Sequence, residues 1–160
     1  YLGLSYWHIK ALSKARKELL AAWQIDSSDV NLAYSIAAVN SDSYLPFNKD
    51  VKPWLDKAME MLQPDPAMLS RIHQQYGLGE YRKNNWDQAI DHYKEAYHFN
   101  PNFISALSTI AYCYEQMKDY KTALEWYEKY LKVARPGSRG HDFATQSVKY
   151  LKGELFMEKK

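Results

Sequence analysis

The sequence predicts an all-α fold, a solenoid of stacked antiparallel helical hairpins, and three observations support it. Residues recur after 34 positions, apolar side chains follow the i, i+3, i+4, i+7 spacing of amphipathic helices, and short polar or proline-containing breaks separate these stretches. A fixed period of this length is typical of helical repeats, which stack instead of folding around one globular core. The matched residues are Gly77, Asn85, Trp86, Ala89, Ile90 and Tyr93 in one repeat, and Ala111, Asp119, Tyr120, Ala123, Leu124 and Tyr127 in the next.

The repeat at 70–103 shows the pattern most clearly. Asn85 follows the first helix and is expected to be the N-cap of the second, with Gln88 completing a capping box. Pro101 ends the second helix because proline has no backbone N–H to continue it. The apolar stripe of the second helix is expected to consist of Ala89, Ile90, Tyr93, Ala96 and Tyr97.

The repeat at 104–137 follows the same plan, with Asp119 as the expected N-cap of its second helix. Small residues stand where the two helices of each hairpin should touch, and a larger side chain there would push the helices apart. These residues are Gly77, Ala89, Ala111 and Ala123.

Residues 30–69 are the irregular repeat. Its first helix is expected at about 29–42, followed by an unusually long turn at 41–48. Asp50 is expected to cap the second helix, and Pro53 is tolerated in the first turn of that helix.

Two proline-containing breaks complete the helical pattern. The break at 63–66 should end the second helix of the irregular repeat, with Asp65 and Pro66 opening a helix that continues to about Lys83. The break at 135–140 precedes a last helix, about 142–157, that lacks the small residues of the repeat. We expect it to be a capping helix, with an apolar face made of Ala144, Val148, Leu151 and Leu155.

Taken together, these features resemble the tetratricopeptide repeat. The resemblance consists of a small residue in the first helix, an aromatic residue opening the second, the following alanine and tyrosine, and a closing proline; in the 70–103 repeat these are Gly77, Trp86, Ala89, Tyr93 and Pro101. It implies a right-handed superhelical solenoid. We expect a single domain over 1–160, with a partial repeat at about 1–29, repeats at 30–69, 70–103 and 104–137, and the capping helix at 138–160.

The resemblance also implies a protein- or peptide-binding scaffold whose ligand lies on the concave face, which the first helices line. The outward positions of those helices carry tyrosine, arginine, glutamine and small polar residues, and tyrosine and arginine commonly anchor interfaces. The expected binding residues are Tyr34, Arg71, Gln74, Leu78, Tyr81, Arg82, Ser108, Tyr112 and Glu115. The other outward positions of the first helices hold Asn31, Ser35, Ala38, Ser41, Asp42, Gln75, Ser105, Thr109 and Gln116, with Leu4, Trp7 and His8 from the partial repeat.

One subfunction of the family is not expected. Cochaperones of this family clamp a C-terminal carboxylate with lysine, asparagine and arginine at fixed positions of successive repeats. In one register the matching positions hold Leu4, Ser35, Arg71 and Gln75, and in the other Tyr34, Ala38, Gln75, Ser105 and Thr109. Neither register assembles the clamp.

Composition gives no indication of another class of partner. The 160 residues are 46% apolar, and 21 basic and 19 acidic side chains give a net charge of +2. These charges are spread along the chain, so no nucleic-acid surface is predicted. The apolar runs are too short to span a bilayer, so membrane insertion is not expected. The sequence does not decide the compartment of the protein. It is compatible with the cytoplasm and, if a signal peptide was removed, with the periplasm or the cell exterior.

The sequence predicts no enzyme, no cofactor and no metal site. Cys113 lies inside a predicted helix without a cationic neighbour, so a buried thiol is favoured over a nucleophile. The histidines show no zinc-ligand spacing, and Gly77 and Gly79 lie within a helix instead of a phosphate-binding loop. The alternative to peptide binding is a structural or self-association module of a longer chain, a homo-oligomer that stacks through its N-terminal end, where Leu2, Leu4 and Trp7 are expected to be uncovered.

Overall fold

The structure, a computed structural model, describes residues 2–61 and 65–157 and confirms the all-α fold, since these residues contain no strand. The predicted break at 63–64 and the apolar residue Leu62 lie outside the described residues. The helices are α1 (Leu2–His8), α2 (Leu12–Ile25), α3 (Val30–Asp42), a π-helical turn (Phe47–Val51), α4 (Lys52–Met61), α5 (Pro66–Arg82), α6 (Trp86–Phe99), α7 (Ser105–Gln116), α8 (Tyr120–Val133) and α9 (Arg139–Met157).

Two compact units make up the chain, and the boundary between them falls within α5. Unit 1 covers Tyr1–Gly79 and unit 2 covers Glu80–Lys160. In both units, helices that follow each other in sequence pack together, as in α1 with α2, α3 with α4, and α7 with α8. Short connections favour this antiparallel pairing of neighbours. The repeat boundaries proposed from the sequence stay a prediction.

Unit 1 has two clusters of buried side chains. Leu19 and Ile36 belong to the cluster that joins α2 to α3, and Leu55 and Ile72 belong to the cluster that joins α4 and α5 to α3. Gly3 is buried between α1 and α2, where a Cβ atom would lie 2.7 Å from Cγ of Leu19. The absence of a side chain at this position therefore allows the first two helices to approach closely.

The irregular repeat owes its long turn to a buried asparagine. The side-chain amide of Asn40 donates to the backbone carbonyl of Asp50 over 2.6 Å, and its Oδ1 accepts from Nε of Arg16 over 2.9 Å. The prediction that Asp50 caps the second helix is wrong, because Asp50 lies inside the π-helical turn that begins at Phe47. A buried polar group needs its hydrogen bonds, and Asn40 obtains one from this turn and one from Arg16 on α2.

The predicted small residues are buried, as the repeat pattern requires. Gly77 is buried in unit 1, and in unit 2 Ala89, Ala111 and Ala123 have no solvent exposure. Ala111 and Ala123 share a cluster with Tyr127, which is fully buried between α7, α8 and α9. Small side chains at these positions let large ones such as Tyr127 fill the remaining space.

Of the four predicted helix caps, Asp119 and Asp65 make the expected side-chain hydrogen bonds. Oδ1 of Asp119 accepts from the backbone N–H of Thr122 over 3.1 Å, and Oδ1 of Asp65 accepts from that of Ala67 over 3.0 Å. Asn85 precedes α6 but makes no side-chain cap bond; its amide donates to Oε2 of Glu80 over 2.7 Å. The predicted capping box at Asn85 is therefore wrong: Asn85 stands at the N-cap position of α6, but its side chain makes no cap bond.

The last helix packs on α8 along the expected apolar face. Ala144 and Leu151 are buried in the cluster that contains Tyr127 and Tyr130, and Val148 is half-buried against it. The helix begins at Arg139, earlier than the sequence predicts, and the Lys152 ammonium lies 3.1 Å from a carboxylate oxygen of Glu128. The helix thus covers one side of α8 and joins the cluster that α7 and α8 form.

Candidate protein-binding surfaces

In unit 1, the candidate surface centres on a pair formed by Tyr34 and Arg71. The guanidinium carbon of Arg71 lies 5.1 Å from the centre of the Tyr34 ring, a cation–π distance. Burial raises the pKa of Tyr34, while the Arg71 charge and the Gln75 side chain oppose this rise. Arg71 is exposed and Tyr34 half-buried, so their contact displays a flat, positively charged surface to solvent.

The same stretch of α5 carries two glutamines with different environments. Nε2 of Gln74 donates to Oγ of Ser70 over 3.2 Å. Oε1 of Gln75 is buried and accepts no hydrogen bond from the described residues. An unpaired buried acceptor favours a donor group placed beside it. Leu78, one turn further along α5, is half-buried.

Three of the residues expected on the concave face of α3 are instead buried. Ser35, Ala38 and Ser41 each expose less than a tenth of their surface. Helix α3 packs against α2, α4 and the π-helical turn, so little of its circumference stays open. Oγ of Ser35 is also used internally, because it donates to the backbone carbonyl of Asn31 over 2.7 Å.

At the start of unit 1, Asp42 holds α1 in place. Nε1 of Trp7 donates to Oδ2 of Asp42 over 2.8 Å, and the Lys10 ammonium lies 3.6 Å from the same oxygen. Leu4, Trp7, His8, Lys10 and Asp42 line an open cleft of about 540 Å³. The sequence placed Trp7 and His8 on the binding face, but it gave no signal for Lys10.

In unit 2, the candidate surface is a cluster of three aromatic rings. The ring of Tyr81 lies 5.5 Å from that of Trp86 and 5.8 Å from that of Tyr112, and the Trp86 and Tyr112 rings are 6.4 Å apart. Burial raises the pKa of Tyr81, and the neighbouring Tyr112 raises it further. Sequence reasoning assigned Tyr81 and Tyr112 to the surface but treated Trp86 only as the residue that opens α6.

The other predicted binding residues of unit 2 differ in how available they are. Arg82 is exposed at the end of α5, and Oγ of Ser108 donates to the backbone carbonyl of Ser105 over 3.0 Å. Glu115 accepts a hydrogen bond of 2.8 Å from the hydroxyl of Tyr127. The carboxylate of Glu115 therefore already has a structural role within unit 2.

The candidates for chemistry that the sequence raises are the Cys113 thiol and a metal site. Burial raises the pKa of the Cys113 thiol to about 12, so the thiol is protonated at neutral pH and is a poor nucleophile. Residues 2–61 and 65–157 contain no cluster of three or more histidine, cysteine or acidic side chains placed to hold a metal ion. Within the same ranges, every helix is too short or too polar to cross a membrane.

Comparison with known proteins identifies the repeat. The tetratricopeptide repeat family profile matches residues 81–146, which include the Tyr81–Trp86–Tyr112 cluster. Residues 81–146 belong to the tetratricopeptide repeat family. An uncharacterized protein, ycf37, of Pyropia yezoensis is 31% identical over 83 residues, which is 50% of this chain and 43% of that protein. Anaphase-promoting complex subunit 3 of Schizosaccharomyces pombe is 40% identical over 65 residues, 39% of this chain and 10% of that protein. The chain thus spans less than half the length of these relatives.

Solved structures share the fold of these tetratricopeptide repeats. The crystal structure of MamA matches with a TM-score of 0.74 and 20% identity, covering 99% of this chain and 95% of that one. YrrB, described as a tetratricopeptide repeat protein with an unusual peptide-binding site, matches with a TM-score of 0.71 and 16% identity, covering 96% of this chain and 74% of that one. Tetratricopeptide repeats are generally non-catalytic, and their fold is that of a protein-interaction scaffold.

Proposed function

We propose that this chain is a protein- or peptide-binding scaffold and that the ligand lies against the predicted concave-face positions of its first helices. The observation that carries the proposal is the cluster of Tyr81, Trp86 and Tyr112 in unit 2. Large aromatic side chains that already contact each other lose little conformational entropy on binding, and for this reason they are effective anchors. The proposed contact residues are Tyr34, Arg71, Gln74, Leu78, Tyr81, Arg82, Ser108, Tyr112 and Glu115.

The charges of the surface favour a ligand segment with an acidic group instead of a uniformly acidic one. Arg71 in unit 1 lies on the Tyr34 ring, and Arg82 in unit 2 is exposed. Each guanidinium can bind a carboxylate through two parallel hydrogen bonds. Asp42 in unit 1 and Glu115 in unit 2 would repel further acidic groups. An extended or helical peptide with one acidic residue flanked by apolar ones suits this arrangement.

The test is isothermal titration calorimetry with a partner captured from the native host. The double variant Tyr81→Ala/Arg82→Ala should weaken binding by several kcal/mol, since truncating one anchor costs about 2 kcal/mol or more. Tyr150→Ala is a matched control, because Tyr150 is exposed on α9. Trp126 is less suitable as a control, because it packs against the core of unit 2. Unchanged affinity in the double variant would contradict the proposal.

The same calorimetry can also test the expectation that the chain lacks the carboxylate clamp of the cochaperones. The clamp positions hold no lysine or asparagine in either register, so peptides that end in an acidic chaperone tail should not bind measurably. A tail peptide that binds through its free carboxylate, and loses affinity when that carboxylate is amidated, would show that the chain makes a clamp of another composition.

Self-association through the terminal helices is the second candidate, and exposed apolar side chains favour it. Leu2 and Ile9 at the N-terminal end are 60% and 70% exposed, and Phe156 and Met157 on α9 are 61% and 67% exposed. Such residues at the ends of a repeat array are suited to contact a second copy. Light scattering should then show a dimer or larger assembly that Leu4→Ser/Ile9→Ser dissociates. A monomer at all concentrations tested would exclude this candidate.

A further inference from the structure

A cleft in unit 2 lies apart from the Tyr81–Trp86–Tyr112 cluster and has no role in the proposed function. Its volume is about 340 Å³, near the lower end of the range for small-molecule sites. The walls come from the second half of α6, the turn after it, and the helices α7 and α8. The lining residues are Lys94, Tyr97, His98, Pro101, Ile110 and Trp126.

Most of this lining is apolar or aromatic, and it is firmly packed. Ile110 has no solvent exposure and belongs to a core cluster of unit 2, and Trp126 and Tyr97 pack against the same cluster. The shape of the cleft is therefore set by core packing and not by mobile surface side chains. An apolar body of about the size of one aromatic ring would gain contact with these walls.

Lys94 is the lysine in the lining, and no described aspartate or glutamate forms an ion pair with it. Its Nζ donates to the hydroxyl of Tyr114 over 3.2 Å and lies 5.7 Å and 5.8 Å from the ring centres of Tyr114 and Trp126. Among the ion pairs formed by residues 2–61 and 65–157, none involves Lys94. Two N–H donors of this half-buried ammonium thus remain for solvent or a ligand.

The charged side chains around Lys94 favour an anionic ligand. Lys129 lies over the Trp126 ring at 4.1 Å from its centre, and His98 contributes an imidazole at the rim. Within the part of the chain that the structure describes, no aspartate or glutamate lines the cleft. An ammonium that is partly removed from water gains more from a carboxylate than an exposed one does, because the local dielectric constant is lower.

We propose that this cleft is a binding site for a small organic anion, with one carboxylate on an apolar and preferably planar body. The carboxylate accepts hydrogen bonds from Nζ of Lys94, while the apolar body lies between the rings of Tyr97 and Trp126. The site is independent of the proposed peptide-binding surface, so a result that contradicts one proposal leaves the other unaffected.

The probe for the test is hydrocinnamate, a phenyl ring joined to a carboxylate, with the neutral hydrocinnamamide as its isostere. Both are titrated into the full chain while the tryptophan indole resonances are followed by NMR, with the Trp126 signal assigned from Trp126→Phe. Hydrocinnamate should shift the Trp126 indole signal saturably. The amide should bind about tenfold more weakly or worse, because a hydrogen bond to a charged group is stronger than one to a neutral group.

Two lysine variants locate the charge that is recognised. Lys94→Gln should weaken hydrocinnamate binding about tenfold or more, whereas Lys121→Gln, on the exposed side of α8, should leave it unchanged. The proposal is overturned if hydrocinnamate gives no saturable shift, if acid and amide bind equally, or if Lys94→Gln folds and binds as tightly as wild type. The acid–amide comparison needs only wild-type protein, so it decides the proposal even if Lys94→Gln does not fold.

Discussion

The hydroxyl of Tyr127 on α8 donates a hydrogen bond of 2.8 Å to Oε2 of Glu115 on α7, so a residue proposed for ligand binding also fastens the last hairpin. Tyr127 is fully buried, while Glu115 is half-buried and still reaches solvent. A change at Glu115 should therefore affect both stability and binding. The two effects are measured separately, stability by denaturation and binding by calorimetry.

Replacing Tyr127 with phenylalanine removes this hydrogen bond and keeps the ring. We expect the free energy of unfolding to fall by about 1–2 kcal/mol, since Glu115 loses a buried donor but can be rehydrated. Urea denaturation measures the change, and Tyr150→Phe on the exposed side of α9 is the matched control. Equal stability of the Tyr127 variant and the control would show that the hydrogen bond contributes nothing.

Alkaline pH should destabilise the fold through its buried tyrosines. Burial raises the pKa of Tyr76, Tyr93 and Tyr127 well above the ordinary value of 10.0, and acidic neighbours add to this for Tyr76 and Tyr127. Above pH 10 the unfolded chain releases these protons while the folded chain retains them, so the free energy of unfolding falls as pH rises. Denaturation at increasing pH should show this slope, and Tyr127→Phe should flatten it. A slope that is the same in both proteins would contradict the assignment to Tyr127.

Enlarging the alanines at the helix contacts should destabilise the hairpins. Ala89 and Ala123 have no exposed surface, so leucine at either position should overpack the contact and cost about 1–3 kcal/mol. Ala21→Leu is the control, because Ala21 is exposed on α2. Thermal denaturation provides the comparison. Wild-type melting of both core variants would show that the repeat register is drawn incorrectly.

Gly79 should not tolerate a methyl group, although it lies within a helix. A Cβ atom there would lie 2.1 Å from Cδ2 of Phe47, whereas one at Gly153 on α9 would meet nothing within 4 Å. Gly79→Ala should therefore destabilise the chain by about 1–3 kcal/mol as the Phe47 ring is displaced. Gly153→Ala should stabilise it by about 0.5–1 kcal/mol through helix propensity. If both variants gain stability in urea, the Phe47 ring is free to move aside.

Removal of α9 should expose the apolar side of the last hairpin. Truncation after Gly140 deletes Ala144 and Leu151, which are buried against Tyr127 and Tyr130. Because the ends of repeat arrays need a covered or polar outer side, the shortened chain should aggregate, as seen by size-exclusion chromatography with light scattering. Leu151→Ala is the milder variant and should cost about 2–5 kcal/mol. A truncated chain that stays monomeric and equally stable would show that α9 is dispensable.

The sequence by itself determined the helical hairpins and the residues at their contacts. The spacing of apolar residues predicted helices near their observed bounds, and the 34-residue period predicted the burial of Gly77, Ala89, Ala111 and Ala123. Asp65 and Asp119 were identifiable as caps because capping depends on residues within one turn of each other. These features are local or periodic, and single-sequence patterns describe such features well.

Only the tertiary structure decided which polar side chains are used internally. The amide of Asn85 pairs with Glu80 instead of capping α6, Ser35 and Ser41 are buried although their positions predicted exposure, and Glu115 is held by Tyr127. The contacts of the Lys94 ammonium with Tyr114 and Trp126 likewise become visible only from the arrangement of α6, α7 and α8. Hydrogen bonds and burial depend on atoms that meet through packing across helices, and the spacing of residues along the chain does not encode those encounters.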